Sequence, residues 1–336
     1  MRITKDSMLR LARDTAAIDA NKNRSIVCAY LTGSLLTDDP CIGGTTDIDL
    51  FYVHADKPEK TREIRYLSDD VTLDIAHIEQ SRFQQPRHLR ADAWLGPFLC
   101  AKPKVFLDSN HWFEFTEASV AAQFYRPEYV LERARPLAAA ARETWMDFHL
   151  AQPDTSPLNI LRYLDCLQNA GNAIALLNGL PLTERRFFLL LPDRAAKVNR
   201  PDLATSFINT ILPADISDLE WTQWITEWEQ AMVKAAELPD CPHSMASPRI
   251  RYYTRAVSDL SDEKPEAAAW IMVRKWTRAA SLMTTDPILT LSWKQACQTF
   301  LQIDETFEPV WEQLDMLLDS VEETLDTFAS ENGLSE

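Results

Sequence analysis

Asp47 and Asp49 stand one residue apart in the run Asp47-Ile48-Asp49-Leu50-Phe51-Tyr52-Val53, and this pair constrains the chain more than any other feature. The β-branched and aromatic residues after it predict a strand. Side chains alternate across a strand, so the two acids share one face while Ile48 and Leu50 take the other. Carboxylates held that close repel unless a cation lies between them, and hard divalent cations prefer carboxylate oxygens. The spacing implies a Mg²⁺ site.

The flanking sequence extends this motif. Upstream, the apolar run Ile26 to Leu31 predicts a strand that empties into Gly33-Ser34 and a polar loop. The chain has only seven glycines, yet Gly33, Gly43 and Gly44 fall in this one region. A positive φ or the close approach of a ligand would call for them there. Downstream, Asp70 to Ile78 predicts another strand, in which Asp74 is a lone acid on the face of Thr72 and Ala76. His77, on the opposite face with Leu73 and Ile75, reads as a surface or satisfied core histidine.

Three pieces, Leu31-Thr32-Gly33-Ser34, Asp47-Ile48-Asp49-Leu50 and Val71-Thr72-Leu73-Asp74-Ile75-Ala76, together resemble the DNA polymerase beta-like nucleotidyltransferase superfamily. Its signature is an apolar residue, Gly, Gly or Ser, a loop of roughly a dozen residues, then Asp-x-Asp between apolar neighbours. The resemblance covers about the first third of the chain, and the layout looks like that of kanamycin- and streptomycin-type nucleotidyltransferases. It implies an enzyme that moves a nucleoside monophosphate from a nucleoside triphosphate to a hydroxyl of a small-molecule acceptor, releasing pyrophosphate. Asp47, Asp49 and Asp74 would be the catalytic and metal-binding acids, holding Mg²⁺, two ions in the family's arrangement. Gly33 and Ser34 would cradle the donor's phosphates. Two alternatives stay open: a protein-modifying AMP transferase like the antitoxin-type enzymes, and a non-catalytic nucleotide-binding scaffold.

Taken in order, the chain opens with an expected helix from about Ser7 to Ala20, then the strand, loop and strand above. A helical segment is expected over Pro58 to Leu67, a further helix over Pro86 to Cys100, and a last short strand over Lys104 to Asp108. Beyond about Trp112 the apolar period is helical to the end. The expected fold class is α+β: a small mixed-sheet nucleotidyltransferase domain over 1–115, followed by an all-α, acceptor-binding domain over 116–336.

Composition sets limits on partners and place. Of the formal charge of −16, the stretch after Lys294 supplies −11, since it holds eleven acids and no Lys or Arg. Long polyanions such as nucleic acid are disfavoured, because binding them relies on clustered basic residues. A cationic or small substrate fits better. The charged N-terminus lacks the apolar core of a signal peptide, and no apolar run is long enough to span a bilayer, so a cytoplasmic protein is expected. The six cysteines show no paired spacing, and reduced, mostly buried thiols are expected.

Three features of the helical half bear on function. Asn159, Arg162, Asp165, Asn169 and Asn172 step along one helix face, and Arg162, Asn169 and Asn172 are tentative acceptor or phosphate contacts. Arg249, Arg251, Tyr252, Tyr253 and Arg255, with Arg274, Lys275, Trp276 and Arg278, read either as phosphate-neutralising groups or as ordinary polar helix faces. Trp221, Trp224 and Trp228 form a core stripe, and the acidic face of the last helix is expected to be merely solvated.

Overall fold

The computed structural model describes residues 4–212, 216–283 and 287–334. Two compact units form, Met1–Tyr129 and Val130–Glu336.

The first unit is built on a five-stranded mixed sheet of order β3-β4-β2-β1-β5. Its strands are β1 (Ile26–Thr32), β2 (Thr46–His54), β3 (Arg62–Ser68), β4 (Val71–Glu79) and β5 (Lys104–Asp108). β2 and β4 run parallel at the centre, while β1 pairs antiparallel with both β2 and β5, and β3 with β4. Helix α1 (Lys5–Lys22) starts at a Thr4–Ser7 capping box and buries Met8, Ala12 and Ala16. Ala12 and Ala16, small and one turn apart on the face that Met8 begins, let the helix lie close on Leu31, Ile48, Leu50 and Leu73. The opposite face of the sheet, with Cys28, Tyr30 and Val53, packs with Phe83, Leu89, Leu99, Phe113 and Val120. The last four come from α2 (Pro86–Ala91), α3 (Leu95–Cys100) and α4 (Trp112–Phe124).

Two sequence expectations are corrected here. The segment expected as a helix over Pro58 to Leu67 forms β3 instead, in a hairpin with β4. Arg62, Ile64 and Tyr66 alternate with Glu63, Arg65 and Leu67, and the tertiary neighbour β4 supplies the hydrogen bonds that an isolated helix would have made internally. The helix expected over Pro86 to Cys100 is two helices. Asp92 Oδ1 accepts from the backbone N–H of Trp94 (2.8 Å) and Leu95 (2.5 Å), ending one helix and starting the next.

On the α1 face, β2 and β4 carry a buried polar chain. His54 Nε2 lies 2.9 Å from His77 Nδ1, and His54 Nδ1 lies 2.7 Å from Ser25 Oγ. Tyr52 donates to Asp19 Oδ2 (2.9 Å), which also accepts from Arg65 (2.6 Å). His77 is thus a core histidine. Burial, then the neighbouring His54, Lys60 and Arg65, lowers its pKa from 6.5 to about 4, against an opposing pull from Asp19.

The second unit is helical: α5 (Pro127–Ala151), α6 (Pro157–Ala175), α7 (Phe187–Lys197), α8 (Pro201–Asn209), α9 (Asp218–Ala236), α10 (Ile250–Leu260), α11 (Pro265–Leu282), α12 (Pro287–Leu301) and α13 (Trp311–Glu331). The opening residues of α5 belong to the first unit. Its central helix is α11, which α6, α7, α9, α10 and α12 surround. Trp221 and Trp228 are buried and Trp224 packs on Trp276 and Phe300, so the tryptophan stripe is core. The six cysteines form no disulfide; Cys28, Cys166 and Cys297 are buried. No described helix is long and apolar enough to cross a membrane.

Candidate metal centre

The parallel pairing of β2 and β4 places Asp49 directly opposite Asp74, and Asp47 opposite Thr72. One oxygen from each of Asp47, Asp49 and Asp74 lies within 4.8 Å of the others. Asp47 and Asp74 are buried, with 7% and 2% of their surface exposed, and Asp49 is half-buried. The acids lie toward the N-terminal ends of both strands, on the face whose remainder α2, α3 and α4 cover. Two signals in the sequence made this legible: the i, i+2 spacing of one pair, and a single acid in an otherwise apolar strand.

Gly33 completes the wall of the site. β1 ends at Thr32, paired with Asp49, so the next residue turns directly over that carboxylate. A Cβ on Gly33 would sit 2.0 Å from Asp49 Oδ2. Its φ of 81° and ψ of −161° fall where essentially only glycine goes. Ser34 opens the 3-10 turn Ser34–Leu36 and is half-buried; its carbonyl accepts from Thr37 N (2.9 Å) and Thr37 Oγ1 (2.7 Å). Gly43 and Gly44 serve a different purpose. Ile42 and Thr45 exchange both backbone hydrogen bonds at 3.1 Å, and the two glycines between them have φ of 59° and 72°. That is a two-residue hairpin turn, which requires positive φ at both central positions. For these two glycines turn geometry is the cause.

Sequence reasoning missed Arg62. It reaches from β3 to grip Asp74 with both arms, Nε to Oδ1 and Nη2 to Oδ2, each at 2.6 Å. Asp74 is buried, whereas half of the Arg62 side chain is exposed. Such a bidentate pair is among the strongest side-chain contacts in geometry. The alternation of Arg62, Ile64 and Tyr66 was the available signal, and it would have placed Arg62 on the face of Asp74.

These four groups carry three negative charges and one positive. The remaining charge of −2 and the all-oxygen donor set suit a hard divalent cation. A further polar atom has no protein partner beside them: Thr72 Oγ1, buried next to Asp74 on the same strand and paired across to Asp47. The cluster could therefore hold a metal ion, and the residues present fit Mg²⁺.

The helical residues read as acceptor contacts lie on α6, in the second unit. Asn172 is fully buried, its Oδ1 accepting from Leu182 N (2.6 Å) and its Nδ2 donating to Leu182 O (3.4 Å). Its place is that of a clamp on the turn after α6. Arg162 is bonded to Asp147 (2.9 Å) and lies 4.7 Å over the Phe148 ring. Asn169 is half-buried.

No protein-family model matches the chain, and no curated protein matches it. Among solved structures, a nucleotidyltransferase-like protein from Exiguobacterium sibiricum aligns over 96% of this chain and 91% of its own, at 12% identity and a TM-score of 0.28. That likeness is too loose for any residue to be carried across.

Proposed function

We propose that the chain is a Mg²⁺-dependent nucleotidyltransferase that moves a nucleoside monophosphate from a nucleoside triphosphate to a hydroxyl of a small-molecule acceptor. One observation carries this reading: three acids from two parallel strands converge within 4.8 Å, beneath a glycine that cannot carry a side chain. Bound there, Mg²⁺ would neutralise the triphosphate oxygens and lower the pKa of the attacking hydroxyl.

The protein's own residues then have distinct tasks. Asp47 and Asp49, fixed by the β2 backbone, would hold the cation on one side. Asp74 would close the set from β4, as a third ligand or as acceptor of the hydroxyl proton. The acceptor oxygen attacks the α-phosphorus, the bond from that phosphorus to the bridging oxygen breaks, and pyrophosphate leaves with its electrons. The open turn at Gly33-Ser34 brings backbone donors close to the departing phosphates. Arg62 must let go of Asp74 for the acid to serve, and its half-exposed side chain can swing to solvent.

Isothermal titration with non-hydrolysable ATP, GTP, CTP and UTP analogues tests the reading, with Mg²⁺ or with EDTA, on the wild type and Asp47→Asn/Asp49→Asn. Metal-dependent binding by the wild type, lost in the double variant, is expected and names the donor. Failure of all four nucleotides to bind a folded wild type would move the weight to a non-catalytic scaffold.

A further inference from the structure

Helix α4 carries apolar side chains on two faces, and the sheet covers only one of them. Phe113, Val120 and Phe124 are buried against the sheet face that holds Cys28, Tyr30 and Val53. Trp112, Phe115, Thr116 and Ser119 follow one another at steps of three and four residues, so they form a second stripe. Phe115 on that stripe is 74% exposed.

A cavity of about 370 Å³ opens beside this stripe. Small-molecule sites fall in the range of roughly 300–1,000 Å³. The opposite wall is the 3-10 turn Gln80–Phe83, which follows β4, and Gln84 and Pro86 continue it. Packing fixes two of the rings there, since Phe83 is buried and meets Trp112 edge to face with centroids 5.7 Å apart. Phe115 adds a third ring that is open to solvent.

The polar groups of the cavity are all neutral. Among the described residues that line it, none is Asp, Glu, His, Lys or Arg. Gln80 and Gln84 each hold a donor and an acceptor side by side, and neither amide is bonded to another described residue. A charged ligand entering here would give up its hydration with no counter-charge to replace it. A wholly apolar one would cover the amides without bonding them. A flat ring with an N–H and an acceptor adjacent on its edge meets both demands, because a Gln amide pairs with such an edge through two hydrogen bonds.

We propose that this cavity binds a neutral, planar nitrogen heterocycle, free or as the base of a nucleoside, stacked on Trp112 and Phe115 and paired with Gln80 or Gln84. The site shares no residue with the three-acid cluster. Asp74 is the fourth residue of β4 and Gln80 follows its last, so roughly 16 Å of strand separates Asp74 from the end at which the cavity opens. Binding there needs no metal and stands apart from the transferase reading.

The test is a ligand-observed saturation-transfer NMR titration of the full chain in EDTA, with adenine, uracil, adenosine and AMP as probes and phenol as the aromatic control. Adenine or uracil should bind at least about tenfold more tightly than phenol, which lacks a paired edge for the amides. The ratio of adenine to adenosine tells a free base from one carried on a sugar. AMP should bind no more tightly than adenosine, since no cation lines the cavity. Phe115→Ala removes an exposed ring and should raise the Kd at least about fivefold with no loss of fold. Ser119→Trp, at an exposed helix position, should fill the cavity and abolish binding. Gln80→Met/Gln84→Met keeps the volume and should erase the preference over phenol. Asp47→Asn/Asp49→Asn should bind the heterocycles as the wild type does, so that a failed metal site and a failed heterocycle site give different results. Four outcomes overturn the proposal: neither base binds the folded wild type, phenol binds as tightly as the bases, the Kd is unchanged in both Phe115→Ala and Ser119→Trp, or AMP binds about tenfold more tightly than adenosine.

Discussion

Single atoms decide whether the acid cluster works as a metal site. Alanine at Gly33 would drive a methyl group to 2.0 Å from Asp49 Oδ2, whereas a Cβ at Gly44 would meet nothing within 4 Å. Both positions have positive φ, so Gly44→Ala should lower stability by about 1 kcal/mol in thermal unfolding, and Gly33→Ala by more, about 2–3 kcal/mol, because its backbone conformation is open to glycine alone and the methyl group also clashes. Only Gly33→Ala should also weaken Mg²⁺-dependent nucleotide binding, by about tenfold or more; equal effects of the two on binding would show that Gly33 does not shape the site. Arg62 is the counterpart on the other side. Since it neutralises Asp74 through two hydrogen bonds but is half exposed, its grip is worth only about 1 kcal/mol after solvent screening. Arg62→Ala should therefore tighten divalent-cation binding by a few-fold to about tenfold in a Mn²⁺ titration. Weaker binding would mean that Arg62 helps to build the site.

At the scale of elements, pairing between strands accounts for what each strand carries. β2 and β4 present the acids on one face and His54 and His77 on the other, because a single register sets both. The histidine pair predicts an acid sensitivity. The folded-state pKa of His77 is lowered from 6.5 to about 4, so between those values the unfolded chain binds the proton more readily. Stability is unaffected above pH 6.5 and falls as pH drops toward 4, by roughly 3 kcal/mol for this group. Urea unfolding from pH 7 to pH 4.5 should show the loss, and His77→Gln should flatten the slope; parallel pH curves would place the sensitivity elsewhere. Helix α13 shows the same dependence on neighbours. Its acidic face, expected to be merely solvated, is partly paired, since Arg142 of α5 reaches Asp315 (2.6 Å), Asp319 (2.6 Å) and Glu322 (2.9 Å). Hydrogen bonding to Glu322, ahead of the other acids, raises the pKa of Arg142.

For the whole molecule, the division after Tyr129 assigns the chemistry. All three acids, Gly33 and Arg62 belong to Met1–Tyr129. The first unit has a packed core on each face of its sheet, enough to fold alone at that size. The fragment Met1–Tyr129 should therefore show cooperative unfolding and bind Mn²⁺ with an affinity within about threefold of the full chain, a difference of under 1 kcal/mol. A folded fragment without metal affinity would show that the cluster needs the second unit.

By itself the sequence determined the fold class, the helices of the second half and the three acids. Periodicity and i, i+2 spacing are local properties, and a chain displays them without being folded. β3 escaped that reading because a short segment rich in Glu, Lys and Arg has no strong local preference, and only β4 beside it makes extended backbone favourable. Arg62 escaped with it. Contacts between side chains distant in sequence were decided by tertiary structure alone: the convergence of Asp74 with Asp47 and Asp49, the grip of Arg62 on Asp74, and the reach of Arg142 to Asp315, Asp319 and Glu322. Each depends on which strand or helix lies alongside, and burial changes the energy of a charge far more than its position in the chain does.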